Sequence, residues 1–149
     1  MMIKHKTKGF TLIELLVVIA IIGLLSTLAV VALNNARGKS RDAKRVSDIR
    51  SIQTGLELYF ADKATYPVIA TPGVTLGATT YVTLSSTNGF AATAAGTTYM
   101  GKVPANPTPG GAGYVYIGDA TTYSITFTLE GPSGDLATGA HTASQTGIQ

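Results

Sequence analysis

The chain has 149 residues and a formal net charge of +3, from 11 Lys and Arg against eight Asp and Glu. Lys4, Lys6 and Lys8 lie in the first nine residues, where no acid accompanies them, and the remaining residues carry eight charges of each sign. The positive excess thus belongs to a short tag. It speaks against nucleic-acid binding, which needs a lasting phosphate-neutralising surface. With no cysteine, disulfide frameworks and thiolate metal sites are excluded.

Residues 15–36 carry no charge and read LLVVIAIIGLLSTLAVVALNNA. At a rise of 1.5 Å per residue, about 20 apolar residues cross a hydrocarbon core of about 30 Å. The run is therefore long enough to span a bilayer, and Ser26 and Thr27 can bond back to the preceding turn. A cleaved secretory signal fits less well, because the apolar stretch is too long and no A-x-A site follows.

Charges then become dense between Arg37 and Glu57 while apolar residues recur at three and four: Val46, Ile49, Ile52, Leu56 and Tyr59. That is one apolar stripe on an amphipathic helix. No proline occurs before Pro67, so the spacing predicts one helix from Phe10 to Phe60, roughly 75 Å long. Gly38 and Gly55, each costing about 1 kcal/mol relative to Ala, are its soft points. The residues beyond it cannot cover such a helix, so lipid or other copies of the chain must cover half of it. The basic residues between Arg37 and Arg50 read either as partners for acids on neighbouring subunits or as a plain solvated face.

Tyr66-Pro67 ends the helix. Short β-prone runs follow at Thr79–Leu84, Thr97–Met100, Tyr114–Ile117 and Tyr123–Leu129, the last two joined by a hairpin across Gly118–Thr122. Tyr123, Ile125, Phe127 and Leu129 share one face, the period-two pattern of a half-buried antiparallel strand. The expected fold is α+β: a long N-terminal helix, apolar in its first half and amphipathic in its second, packed on a small antiparallel sheet.

Glu14 sits inside the apolar segment, where a buried carboxylate is costly and is a functional candidate by default. A Glu at headgroup depth is the plainer reading. Were Gly9–Phe10 cut, the new α-amino group at Phe10 would be a natural partner for Glu14 of a neighbouring helix, and pairing would relieve both charges.

Lys8-Gly9 followed by Phe10-Thr11-Leu12-Ile13-Glu14-Leu15 resembles the type III signal of type IV pilins and type II secretion pseudopilins. The resemblance is specific over Lys8–Ala32 and extends more loosely to Tyr66-Pro67. It implies cleavage between Gly9 and Phe10 by a membrane prepilin peptidase, N-methylation of Phe10, and a role for Glu14 in ordering subunit addition. Its further implications are an inner-membrane assembly platform with an ATPase, and a homo-oligomeric helical filament. The implied organisation is a leader over residues 1–9, an assembly helix over 10–36, an amphipathic helix over 37–61 and a β-rich head over 62–149. The leader would be cytoplasmic, with the head outside the inner membrane and later in a periplasmic or surface filament.

Leu56–Pro67 and Tyr99–Tyr116, with a Lys-x-Pro-x-x-Pro-like element at Lys102–Pro107, resemble the major pseudopilin of type II secretion more loosely. Val31 stands where many members carry a kinking proline. Major pseudopilins often bind calcium through acidic C-terminal loops, whereas Asp119, Glu130 and Asp135 are the acids available here. Asp119 and Asp135 are the calcium candidates, and both serve equally well as turn residues.

Lys/Arg counts on the two flanks of the apolar run favour the opposite topology. The resemblance is followed because the lysine tag would be removed by cleavage. His141 with Asp135 and Ser133 or Ser144 has no activating context for a triad, and Gly110-Gly111-x-Gly113 lacks the helix and Lys of a phosphate cradle. No enzyme is expected. The competing reading is a membrane-tethered extracellular binding module. A secretion pseudopilus and an adhesive, motile or DNA-uptake pilus stay open.

Overall fold

The computed structural model describes residues 9–149. Lys4, Lys6 and Lys8 lie outside the described residues. Helix α1 spans Leu12–Lys63, and neither Gly38 nor Gly55 ends it. Eight strands follow: β1 Ile69–Thr75, β2 Thr83–Ser85, β3 Gly89–Ala91, β4 Thr98–Met100, β5 Val115–Gly118, β6 Tyr123–Leu129, β7 Gly139–Ser144 and β8 Gly147–Ile148. The chain divides into two compact units, with the boundary between Arg37 and Gly38.

In the second unit, β1-β5-β6-β7-β8 form an antiparallel sheet, and β3-β2-β4 form a smaller one. Ile49, Ile52, Leu56 and Tyr59 of α1 are buried, as expected from their spacing, while Val46 is half-buried. They meet Tyr123, Ile125, Phe127 and Leu129, which alternate with more exposed residues along β6. Gly55 lets the smaller sheet approach the helix closely. A Cβ there would come within 3.1 Å of Met100 Cε and 3.5 Å of Leu84 Cδ2, against the smaller sheet.

The core is rich in tyrosine, and each buried hydroxyl needs an acceptor. Tyr116 donates to Pro67 O at 2.8 Å, Tyr114 to Asp48 at 3.1 Å and Tyr66 to Glu57 at 3.0 Å. Burial, together with the Glu57 bond, pushes the Tyr66 phenol up to about 12. The helix stops at Ala64, whose N–H still reaches Phe60 O at 2.7 Å while its φ of 55° is left-handed.

Five strands differ from sequence expectation, β8 among them because two residues show no period. The Thr79–Leu84 run supplies only β2, because Gly77 and Tyr81 close a turn first (Gly77 N–H to Tyr81 O, 2.9 Å). β1 contains Pro72, which points away from strand, yet β1 is an edge with a register shift between Ile69 and Val74, where proline is tolerated. β3 is too short to show a period. β7, GAHTAS, has no apolar signature and is placed by pairing with β6, His141 opposite Phe127. His141 is therefore a strand residue. Its ring nitrogens lie 2.8 Å from Ala137 O and 3.1 Å from Gln149 O.

Candidate assembly surface and its polar cluster

In the first unit, Gly9 and Phe10 are exposed, Phe10 at 83%. Thr11 and Glu14 form a reciprocal cap. Glu14 N–H donates to Thr11 Oγ1 at 3.2 Å, and the Glu14 carboxylate accepts from Thr11 N–H at 2.8 Å and from its hydroxyl at 2.7 Å. The Thr-x-x-Glu spacing is a capping-box signature that satisfies donors orphaned at a helix start. That spacing is legible in the sequence, Thr11 and Glu14 standing three apart at the start of the apolar run. Thr27 bonds back to Leu24 O at 2.8 Å, as anticipated.

From Phe10 to Leu33, sixteen large apolar side chains are exposed, and the most apolar window of α1 has a mean hydropathy of 2.9 with none of it buried. At about 1.5 kcal/mol per side chain, leaving them in water forgoes on the order of 20 kcal/mol, more than a whole domain's typical stability. This surface requires an apolar environment.

The second unit holds a polar cluster at the N-terminal part of its helix. Asp42 and Arg45 lie on the same face as Ile49 and Ile52 and are as completely buried, at 1% and 0%. All five guanidinium N–H groups of Arg45 have acceptors. Nε donates to Asn106 Oδ1 at 2.7 Å; Nη1 to Asp42 Oδ1 and Glu130 Oε1, both at 2.6 Å; Nη2 to Gly110 O at 2.6 Å and Pro107 O at 3.1 Å. Asp42 accepts in turn from Glu130 N–H at 3.0 Å and Gly131 N–H at 2.8 Å, where the chain leaves β6. Arg41 grips Glu130 with two donors. The four formal charges cancel, which is what a buried charge requires.

Glu130 is held down at about 2, chiefly by hydrogen bonds from Arg41 and then Arg45. Gly110 is fixed by this packing: at φ 89°, a Cβ would fall 2.8 Å from Glu130 Oε1. The Gly-rich turn is thus the lid of an arginine site. The cluster corrects the sequence readings of Arg45, which is buried and fully paired within the chain, and gives the partly exposed Arg41 an acid of its own head in Glu130. The overlooked signal is that Asp42-x-x-Arg45 continues the three-and-four spacing of the apolar stripe.

Asp119 organises the β5–β6 hairpin, accepting from Thr121 N–H and Thr122 N–H at 2.7 Å and from both threonine hydroxyls. These bonds, the Thr121 N–H first, hold it at about 2. Asp135 lies in a turn closed by Ser133 and Leu136. Among the described residues, no three His, Cys, Asp or Glu side chains assemble into a metal-holding group. Glu130 is committed to the arginines and Asp119 to its turn, whereas calcium takes six to eight oxygens, usually with several carboxylates.

An apolar, exposed and capped helix, followed by a small α+β head whose buried charges are paired internally, defines a pilin-like subunit. Residues 4–30 match the family model described as the prokaryotic N-terminal methylation motif. The chain is 32% identical over 133 residues to type II secretion system core protein G of Escherichia coli (strain K12), covering 89% of this chain and 87% of that one. Its Vibrio cholerae serotype O1 counterpart is 31% identical over 138 residues, covering 91% and 90%. Type IV major pilin protein PilA of Myxococcus xanthus is 31% identical over 61 residues, covering 41% of this chain and 28% of that one. No solved structure matches significantly. The chain belongs to the pilin and pseudopilin family, in the group of type II secretion core protein G. That family is one of structural subunits and not of enzymes.

Proposed function

We propose that this chain is the filament subunit of a type II secretion pseudopilus. A prepilin peptidase cuts it between Gly9 and Phe10 and N-methylates Phe10. Before assembly, residues 10–36 lie in the inner membrane, with the leader cytoplasmic and the head of residues 62–149 outside, and lipid covers the apolar helix. A membrane platform driven by an ATPase then transfers the subunit into a fibre, where other copies replace the lipid. Contacts that do not close on themselves give an open helical filament.

The observation that carries this reading is the exposed apolar surface from Phe10 to Leu33, immediately after Gly9. Similarity to core protein G along nearly the whole chain favours a pseudopilus over other pili. In this scheme Glu14 exchanges its own Thr11 cap for the α-amino group of a neighbouring Phe10, which sets the axial register. N-terminal mass spectrometry tests processing: a mature start at N-methyl-Phe10 is expected, and an intact Met1 in assembled material refutes it. A membrane-tethered binding module would tolerate Gly9→Ala and Glu14→Leu. A pseudopilin carrying the first change stays unprocessed, and one carrying the second fails to assemble.

A further inference from the structure

The five acceptors around Arg45 form an oxygen cage drawn from three separate parts of the head. Helix α1 gives the Asp42 carboxylate, and the exit from β6 gives the Glu130 carboxylate. The turn of residues 106–110 gives the Asn106 amide oxygen and the carbonyls of Pro107 and Gly110. Two carboxylates, one amide oxygen and two main-chain carbonyls are the kinds of hard oxygen ligand that calcium takes. Here a cation carried by the chain itself fills the set. The walls of the cage are tied from outside as well. Asn106 Nδ2 donates to Gly110 O and Gly111 O at 2.9 and 3.0 Å, while Glu130 N–H and Gly131 N–H hold Asp42.

The charges in the cage leave no demand for a second cation. Asp42 and Glu130 are balanced by Arg45 and Arg41. A divalent ion taken up by either carboxylate would meet these guanidinium groups, and it would deprive Arg45, at 0% exposed, of a buried charge partner. Asp119 is spent on its own turn. It accepts four hydrogen bonds from Thr121 and Thr122, about as many as a carboxylate has lone pairs. Asp135 belongs to no group of three or more His, Cys, Asp and Glu among the described residues.

We infer that the Arg45 guanidinium is the resident cation of this head and closes it in place of the calcium ion that the family resemblance implies, so that the head holds together without a divalent ion. Arginine suits the role for a geometric reason. Its planar fork offers five donors in fixed directions, one for each oxygen of the cage, whereas a lysine ammonium has three on a flexible stem. A cation built into the helix does not dissociate, so closure of the head does not follow the ion concentration around it. The inference concerns the head alone and does not rest on the filament reading.

The full-length chain, purified in detergent, is melted in EGTA and in about 10 mM calcium, roughly ten times the dissociation constant of weak extracellular sites. Near-UV circular dichroism of the tyrosines is the readout. Superimposable curves are expected. A calcium site occupied to that degree would raise Tm by about 5 °C in a head of this size, and a calcium-dependent rise of that order overturns the inference. Arg45→Lys keeps the charge and loses the fork. It should melt well below wild type in both buffers. An Arg45→Lys chain that melts with wild type shows that a point charge is enough, and overturns the five-oxygen cage. Should that variant fail to fold, the two wild-type curves still decide. Processing at Gly9–Phe10 and filament formation are read by mass spectrometry and electron microscopy, so a calcium response here leaves the proposed function standing.

Discussion

Replacing Arg45 by Ala should destabilise the head more than any other single change in α1 outside its apolar stripe. The guanidinium is fully buried and makes five hydrogen bonds. Its removal leaves Asp42 buried with an uncompensated charge, and strips the carbonyls of Pro107 and Gly110 of a charged donor. Breaking a buried pair by deleting one partner costs about 3–5 kcal/mol. The orphaned carbonyls place this case toward the upper end of that range. At roughly 4 °C per kcal/mol for a domain of this size, melting should fall by about 12–20 °C. All seven tyrosines lie in the unit that begins at Gly38, so near-UV circular dichroism of the detergent-solubilised full chain reports its unfolding selectively. Arg41→Ala is the internal control. Its side chain is 22% exposed, and losing the pair with a partly exposed Glu130 should lower Tm far less. If Arg45→Ala lowers stability by no more than Arg41→Ala does, the cluster is not the clamp described here.

Acid should loosen the same region. Glu130 and Asp119 are both held at about 2 in the folded chain. Their contribution is complete above the ordinary carboxylate range and is lost as pH falls from about 4.5 toward 2, because the unfolded chain binds those protons first. A Tm series from pH 6 to pH 2 should slope downward through that window, and Glu130→Gln should flatten it. Ala64→Gly should stabilise the head by about 0.5–1 kcal/mol in urea unfolding, because a left-handed residue with a Cβ is strained at the helix end. Unchanged stability would show that Ala64 carries no strain. Asp119→Ala removes the acceptor of four hydrogen bonds in the β5–β6 turn. It should lower the unfolding midpoint without changing the fold, with equilibrium urea unfolding as the measurement.

Much of this protein is written in local pattern. An uncharged run long enough to cross a hydrocarbon core, an apolar stripe at three and four, and the alternation from Tyr123 to Leu129 are each legible in local pattern alone. They predicted α1, β6 and the face on which the two meet. The Gly9–Glu14 motif is contiguous, so the family resemblance needed no fold. Weaker strands had no such signal. β7 is GAHTAS and exists because β6 offers an edge, while β1 keeps a proline because it is itself an edge. The fate of the charges was the other thing tertiary structure decided. Asp42 and Arg45 look in one dimension like any solvated pair on a basic helix. Only the arrival of Glu130, 85 residues after Arg45, and of the Asn106–Gly110 turn makes burying them tolerable. A charge can leave water only where partners from distant parts of the chain converge on it, and that convergence is a property of the fold.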